Sequence, residues 1–211
     1  MVRESGKKAI TVVIPTTRDR ADSLARAVWS ACGADELLIY ENSDGSPAKS
    51  ISKAIENAKS EWLMVLADDD WLLPGALDRI KPHLAGDMVF SDLYVSDGTA
   101  IRDAWRFNDR PTDPDALVDF CREHRMNPIP MLGPWRVSWL RENKLSFIEW
   151  ATTGYADDCR TFLEWAKHSP DIRYVRGPFH VYVQHDGALS KNTEERAKYL
   201  AELDAYFKGE A

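Results

Sequence analysis

Along the first hundred residues, short apolar runs alternate with stretches whose apolar positions recur every three or four residues. Ile10 to Ile14 is a β-branched run, and Pro15 after it is expected to stop the strand. Leu24, Ala27, Val28, Ala31 and Cys32 then fall on one face of a helix that Gly33 should end. Leu37 to Tyr40 is a second strand, followed by the polar turn Glu41-Asn42-Ser43-Asp44-Gly45. Ser46-Pro47 has the cap-then-proline form of a helix start, with Ile51, Ala54, Ile55 and Ala58 at helical spacing behind it. Leu63 to Leu66 is apolar throughout, as a strand buried on both faces must be. Pro74 and Gly75 open a helix carrying Leu77, Ile80 and Leu84, which Pro82 should kink, and Met88 to Val95 reads as a further strand. This βαβαβαβ order predicts an α/β fold, a doubly wound and mostly parallel sheet with helices on both faces.

The second half is less periodic and rich in tryptophan. Trp105, Trp135, Trp139, Trp150 and Trp165 are expected mostly in the core, with one or two free to line a sugar site, where a flat apolar ring stacks on C–H bonds. From Glu194 to Lys208, the residues Tyr199, Leu200, Leu203, Tyr206 and Phe207 share one helical face, suited to packing on the domain or on a second subunit of a homodimer.

Composition narrows the class. A chain of 211 residues fits one domain with at most an appendage. No apolar stretch approaches a membrane span, and the opening residues lack the form of a signal peptide. Three cysteines, far apart in sequence, predict reduced thiols and a cytoplasmic setting, with neither a zinc site nor a disulfide framework. A net charge of −7 disfavours nucleic acid as a partner without excluding a local basic patch.

The candidate chemistry begins where Leu63-Met64-Val65-Leu66-Ala67 empties into Asp68-Asp69-Asp70. Ligands of open α/β sheets bind beyond the carboxyl ends of the strands. Three carboxylates there repel one another, and a divalent cation on oxygen ligands offsets this and suits a phosphorylated substrate. The same run read alone also fits a solvated acidic turn. A second acidic pair, Asp157-Asp158, opens a helix with Cys159, Phe162 and Trp165 on its apolar face, where the helix dipole favours acids with or without chemistry.

In order and spacing these pieces resemble the family-2 glycosyltransferases of the GT-A fold. Ile14-Pro15-Thr16-Thr17-Arg18-Asp19-Arg20 is similar to the family's opening, and Glu41-Asn42-Ser43-Asp44-Gly45-Ser46 to its second-strand turn. Asp68-Asp69-Asp70 resembles its metal-binding acidic run, and Asp157-Asp158 its later acidic pair. Gly133 to Arg141 and Tyr182 to Ser190 resemble its acceptor-side and terminal segments, so the likeness covers about residues 9 to 192.

The resemblance implies a nucleotide-sugar donor, UDP-sugar favoured, and Mn²⁺ or Mg²⁺. The middle or last acid of the run meets the metal, here taken as Asp70 with Asp68, and His185 is a further candidate ligand. Pro15, Thr16, Arg20, Glu41, Ser43, Lys53, Asp68 and Asp69 are the expected donor-binding residues. Asp158, with Asp157 beside it, is the expected base that deprotonates an acceptor hydroxyl on a glycan, lipid-linked or other acceptor, in an inverting single displacement. Residues 1–211 are then one domain, with a nucleotide-sugar half at about 9–98, an acceptor half at about 99–192 and a terminal helix at 193–211. Two other readings stand beside it. One is a catalytically silent relative that binds nucleotide sugar or glycan. The other is a sugar-1-phosphate nucleotidyltransferase, disfavoured because the segment after the first strand has no glycine.

Overall fold

A computed structural model of the chain describes residues 8–17, 20–42, 47–148, 157–184 and 193–209. The first strand, β1 (Ile10–Thr16), is buried along its whole length, and β2 (Glu36–Glu41) and β3 (Trp62–Val65) pair with it in parallel on either side. β1 runs through Pro15 instead of stopping there, with Pro15 opposite Tyr40 and Thr16 opposite Glu41. The reason is directional. Val13 O accepts from Leu66 N on the β3 side, while Thr16 O accepts from Asn42 N on the β2 side. Alternation therefore points the Pro15 nitrogen toward β3, past the last paired residue of that strand, where no hydrogen bond is lost.

Helix α1 (Ala21–Ser30) ends three residues earlier than Gly33 suggests, and Cys32 is exposed in the turn that follows. Helix α2 (Pro47–Asn57) begins at its proline and buries Ile51, Ala54 and Ile55 as the spacing predicts. After β3 comes a two-residue strand, β4 (Trp71–Leu72), too short to leave a pattern in the sequence. The helix expected to continue to Leu84 is α3 (Ala76–Ile80), followed by one 3₁₀ turn over 81–83 that contains Pro82. A proline nitrogen there cannot continue the α-helical ladder.

Strand β5 (Met88–Ser96) and β6 (Ile101–Trp105) form an antiparallel hairpin. Helix α4 (Pro114–His124) starts on Asp113, whose carboxylate accepts from Ala116 N. Next come β7 (Trp135–Arg136), α5 (Val137–Glu142), α6 (Asp157–Ala166), β8 (Ile172–Val183) and α7 (Thr193–Lys208).

The strands form one sheet in the order β2-β1-β3-β7-β5-β8-β4, with β6 on β5. The long ladders β1–β2, β1–β3 and β5–β8 are parallel, while β7 is antiparallel to both of its neighbours and β4 to β8. The parallel sheet predicted from the first half is thus interrupted: β3 and β5 are separated by β7, from the second half. Gly133 makes that insertion possible. Its φ is 84°, and a Cβ there would lie 2.8 Å from Leu63 O.

Two apolar layers cover the sheet. One joins α2, α4, α5, α6 and α7 to Val13, Leu63, Val65, Met88 and Phe90. The other joins α1 and α3 to Ile10, Val12, Ile14, Met64, Val89 and Phe179. Trp135, Trp139 and Trp165 are core residues, Trp105 is exposed, and Trp150 lies outside the described residues. On α7, Tyr199 and Leu203 are buried and Leu200, Tyr206 and Phe207 pack partly against the first layer, so the predicted apolar face closes on its own chain.

Candidate active site at the carboxyl ends of β1 and β3

The acid run leaves β3 beside the end of β1, and each carboxylate meets a different environment. Asp68 is buried. Its Oδ2 accepts from Thr16 Oγ1 at 2.8 Å and Thr17 N at 3.3 Å, and its Oδ1 from Arg20 Nη1 at 3.0 Å. Asp69 is more open, its side chain 22% exposed, and its Oδ2 accepts from the same Arg20 Nη1 at 3.0 Å. Burial, then the neighbouring Asp70 carboxylate, raises the Asp69 pKa above its ordinary value, against the lowering pull of Arg20.

Asp70 is 1% exposed and fully engaged by the protein. Its Oδ2 lies 2.7 Å from His180 Nε2, and its Oδ1 accepts from Val183 N at 2.8 Å. These bonds are satisfied when Nε2 carries the proton, which leaves His180 Nδ1, buried with no partner among the described residues, as a bare acceptor. Asp70 therefore ties the loop after β3 to β8, and the acid with a face to offer is Asp69.

The remaining predicted residues are placed as follows. Pro15 and Thr16 end β1, and Glu41 ends β2 directly opposite Thr16. Lys53, on α2, sets its ammonium 4.8 Å from the centre of the Tyr40 ring on β2 instead of reaching the acids. Asp158 sits in the first turn of α6, half-buried, with Oδ2 accepting from Asn127 Nδ2 at 2.8 Å and Oδ1 from Cys159 N at 2.8 Å. Burial raises its pKa above the ordinary 3.8, and its hydrogen bonds to the Asn127 side chain and to the backbone only partly oppose this. Among the described residues no hydrogen bond joins Asp158 to the acid run. Asp157 begins α6 but its side chain, like Ser43 and His185, lies outside the described residues.

Several supporting residues were not singled out from sequence. His180 carries no signal in the sequence, because its pairing with Asp70 spans 110 positions that no local pattern connects. Arg26 donates from Nη2 to Asp69 O at 2.7 Å and from Nη1 to Gly98 O at 3.1 Å, while its guanidinium lies 4.1 Å over the Trp71 ring. It thereby braces the backbone of the acid run against α1. The thiols of Cys121 and Cys159, distant in sequence, lie 3.5 Å apart between α4 and α6, and their hydrogen bond together with burial pushes the Cys159 thiol up. A cleft of about 430 Å³ lined by Arg79, His83, Tyr94, Arg176 and Phe179 opens between α3 and β8 and includes none of these acids.

No group of three or more His, Cys, Asp or Glu side chains gathers as a metal site among the described residues. Asp68 and Asp69 nevertheless fit a divalent ion of the kind that takes one or two carboxylates and completes its shell with phosphate oxygens and water, since the two carboxylates are close enough to share the Arg20 Nη1 and Asp69 is partly exposed.

The sheet order defines an α/β fold with a cluster of carboxylates beyond the carboxyl ends of β1 and β3. Among solved structures the chain is similar to TarS of S. aureus, with a TM-score of 0.63 at 13% identity over 92% of this chain. Against TarS 1-349 in complex with UDP the TM-score is 0.61 at 15% identity, and against its UDP-GlcNAc complex 0.60 at 16%, each over 93% of this chain. The chain spans 39% of the first TarS chain and 65% and 66% of the shorter two. At these identities the likeness is one of fold. No protein-family model matches the chain, and no curated protein matches it in sequence. No helix among the described residues is long and apolar enough to cross a membrane.

Proposed function

We propose that this chain is an inverting glycosyltransferase that moves a sugar from a nucleoside-diphosphate sugar, UDP-sugar favoured, to an acceptor hydroxyl. The observation that carries the reading is the placement of Asp68 and Asp69 beyond the ends of β1 and β3, fixed by Thr16 and Arg20. The fold similarity to TarS structures complexed with UDP and UDP-GlcNAc supports the same choice. In this reading Glu41 meets the nucleoside, and Arg20 lies where a diphosphate would draw it off the two carboxylates. Asp69, the most open of the three carboxylates, would hold Mn²⁺ or Mg²⁺ with Asp68 beside it once Arg20 leaves them, while Asp70 stays with His180 and Val183. Bound there, the ion would supply Lewis-acid stabilisation of the departing diphosphate.

Asp158 takes the proton from the acceptor hydroxyl as its oxygen forms a bond to the anomeric carbon. The bond from that carbon to the diphosphate oxygen breaks on the opposite face, which inverts the configuration. Burial raises the Asp158 pKa, which makes its carboxylate a stronger proton acceptor.

Calorimetric titration of UDP and GDP, each with and without Mn²⁺, tests the donor site in wild type, Asp69→Asn and Asp70→Asn. Metal-dependent binding of one nucleotide, lost in Asp69→Asn, supports the reading, and binding of neither to folded wild type overturns it. UDP release from UDP-GlcNAc by wild type but not by Asp158→Asn would separate a transferase from a silent binding relative.

A further inference from the structure

Of the described tryptophans in the second half, Trp135, Trp139 and Trp165 are in the core and Trp105 is not: it is 39% exposed at the end of β6. It also has a companion. The Tyr182 ring of β8 lies 5.6 Å from it, tilted by 39°, although the two residues sit on strands separated by β5.

The ladder register explains the meeting. Residues directly opposite one another in a sheet share a face. Trp105 is opposite Leu93, which is opposite His180. Asp103 is opposite Val95, which is opposite Tyr182. These two adjacent rungs therefore put Trp105, Asp103, Tyr182 and His180 on one side of the sheet. His180 is the residue that holds Asp70, and Val183, next to Tyr182, donates its backbone N–H to the same carboxylate. Two strand spacings, roughly 10 Å, separate the β6 position from that anchor.

We propose that Trp105, Tyr182 and Asp103 form the seat of an oligosaccharide acceptor; the inference rests on the glycosyltransferase reading above. A pyranose has an apolar C–H face and a rim of hydroxyls, and the seat matches both. The ring pair offers the flat apolar surface. Asp103 is exposed, and with Oδ1 accepting from Ala104 N at 2.7 Å its Oδ2 has no partner among the described residues and is open to a sugar hydroxyl. The occupant is acceptor and not donor because the nucleotide end of the proposed site lies on β1, β2 and β3. The ring pair stands on β6 and β8, beyond β7 from those strands in the sheet.

Saturation-transfer NMR with chitotriose and with maltotriose as probes tests the seat. Calorimetry of UDP with Mn²⁺ is run on the same preparations of wild type, Trp105→Ala, Trp105→Phe and Asp103→Asn. The wild type should transfer saturation to the C–H protons of at least one trisaccharide. Trp105→Ala should bind it about tenfold more weakly, the effect of losing one ring contact. Trp105→Phe should keep part of the affinity and Asp103→Asn should lose part, while UDP affinity stays within about twofold in all three. Absence of transfer to both trisaccharides overturns the inference, as does equal transfer in Trp105→Ala, since an exposed ring can be removed without disturbing the core. Trisaccharide binding without UDP binding would leave the seat standing and remove the donor reading. UDP binding without trisaccharide binding would do the reverse.

Discussion

At the scale of single residues, three adjacent carboxylates behave differently because each is met by different donors. Asp70 is the buried one, and removing His180 leaves its charge with the Val183 N–H alone. An uncompensated buried charge costs about 3–5 kcal/mol, so His180→Ala should lower the urea midpoint by a corresponding amount. His180→Gln, which retains an N–H donor, should lose less. Asp158 carries a proton more readily in the folded than in the unfolded chain. Its sign follows: the contribution to stability is fully present below the unfolded pKa and is lost as pH rises through the raised folded value. Asp158→Asn should therefore raise the melting temperature at pH 7 relative to wild type, and by less at pH 4, while abolishing sugar transfer. The acidic limb of the pH–rate profile should likewise fall above the ordinary carboxylate range.

At the scale of elements, the helix that carries Asp158 is held by its tryptophan. Trp165 has ring centroids 5.0 Å from Trp135, 6.0 Å from Trp139 and 6.4 Å from Phe147, and its Nε1 donates to Ser146 O at 3.0 Å. Trp165→Ala should cost about 3–5 kcal/mol by chemical denaturation, the range for emptying a large aromatic site. The apolar spacing of α2 and α6 was legible in sequence because an amphipathic helix repeats its pattern over several turns. The same reading overextended α1 to Cys32 and α3 to Leu84, where tight turns continue the apolar spacing after the helical hydrogen bonds have stopped. The two-residue strands β4 and β7 were not legible at all, since alternation needs more positions than they have.

At the scale of the whole molecule, the two halves of the chain share one sheet. β5 closes the first half, yet its strand partners β6, β7 and β8 all come from later in the chain. Residues 1–98 expressed alone should therefore lack a cooperative unfolding transition, which circular dichroism against urea would show. An independently folding fragment would mean that β1, β2 and β3 with their helices form a sufficient core.

The sequence by itself determined the alternation of the main strands and helices through β5, the α/β class, the acid run at the end of a buried strand and the acidic pair at the start of a helix. These are local patterns, fixed by periodicities of about two and 3.6 residues and by punctuation at proline and glycine. Only the tertiary structure decided that β7 separates β3 from β5. It likewise decided that His180 and Val183 hold Asp70 while Asp69 stays the more open acid, and that Trp105 meets Tyr182 outside the core. Each of these depends on pairings between residues tens to more than a hundred positions apart, which local periodicity does not encode.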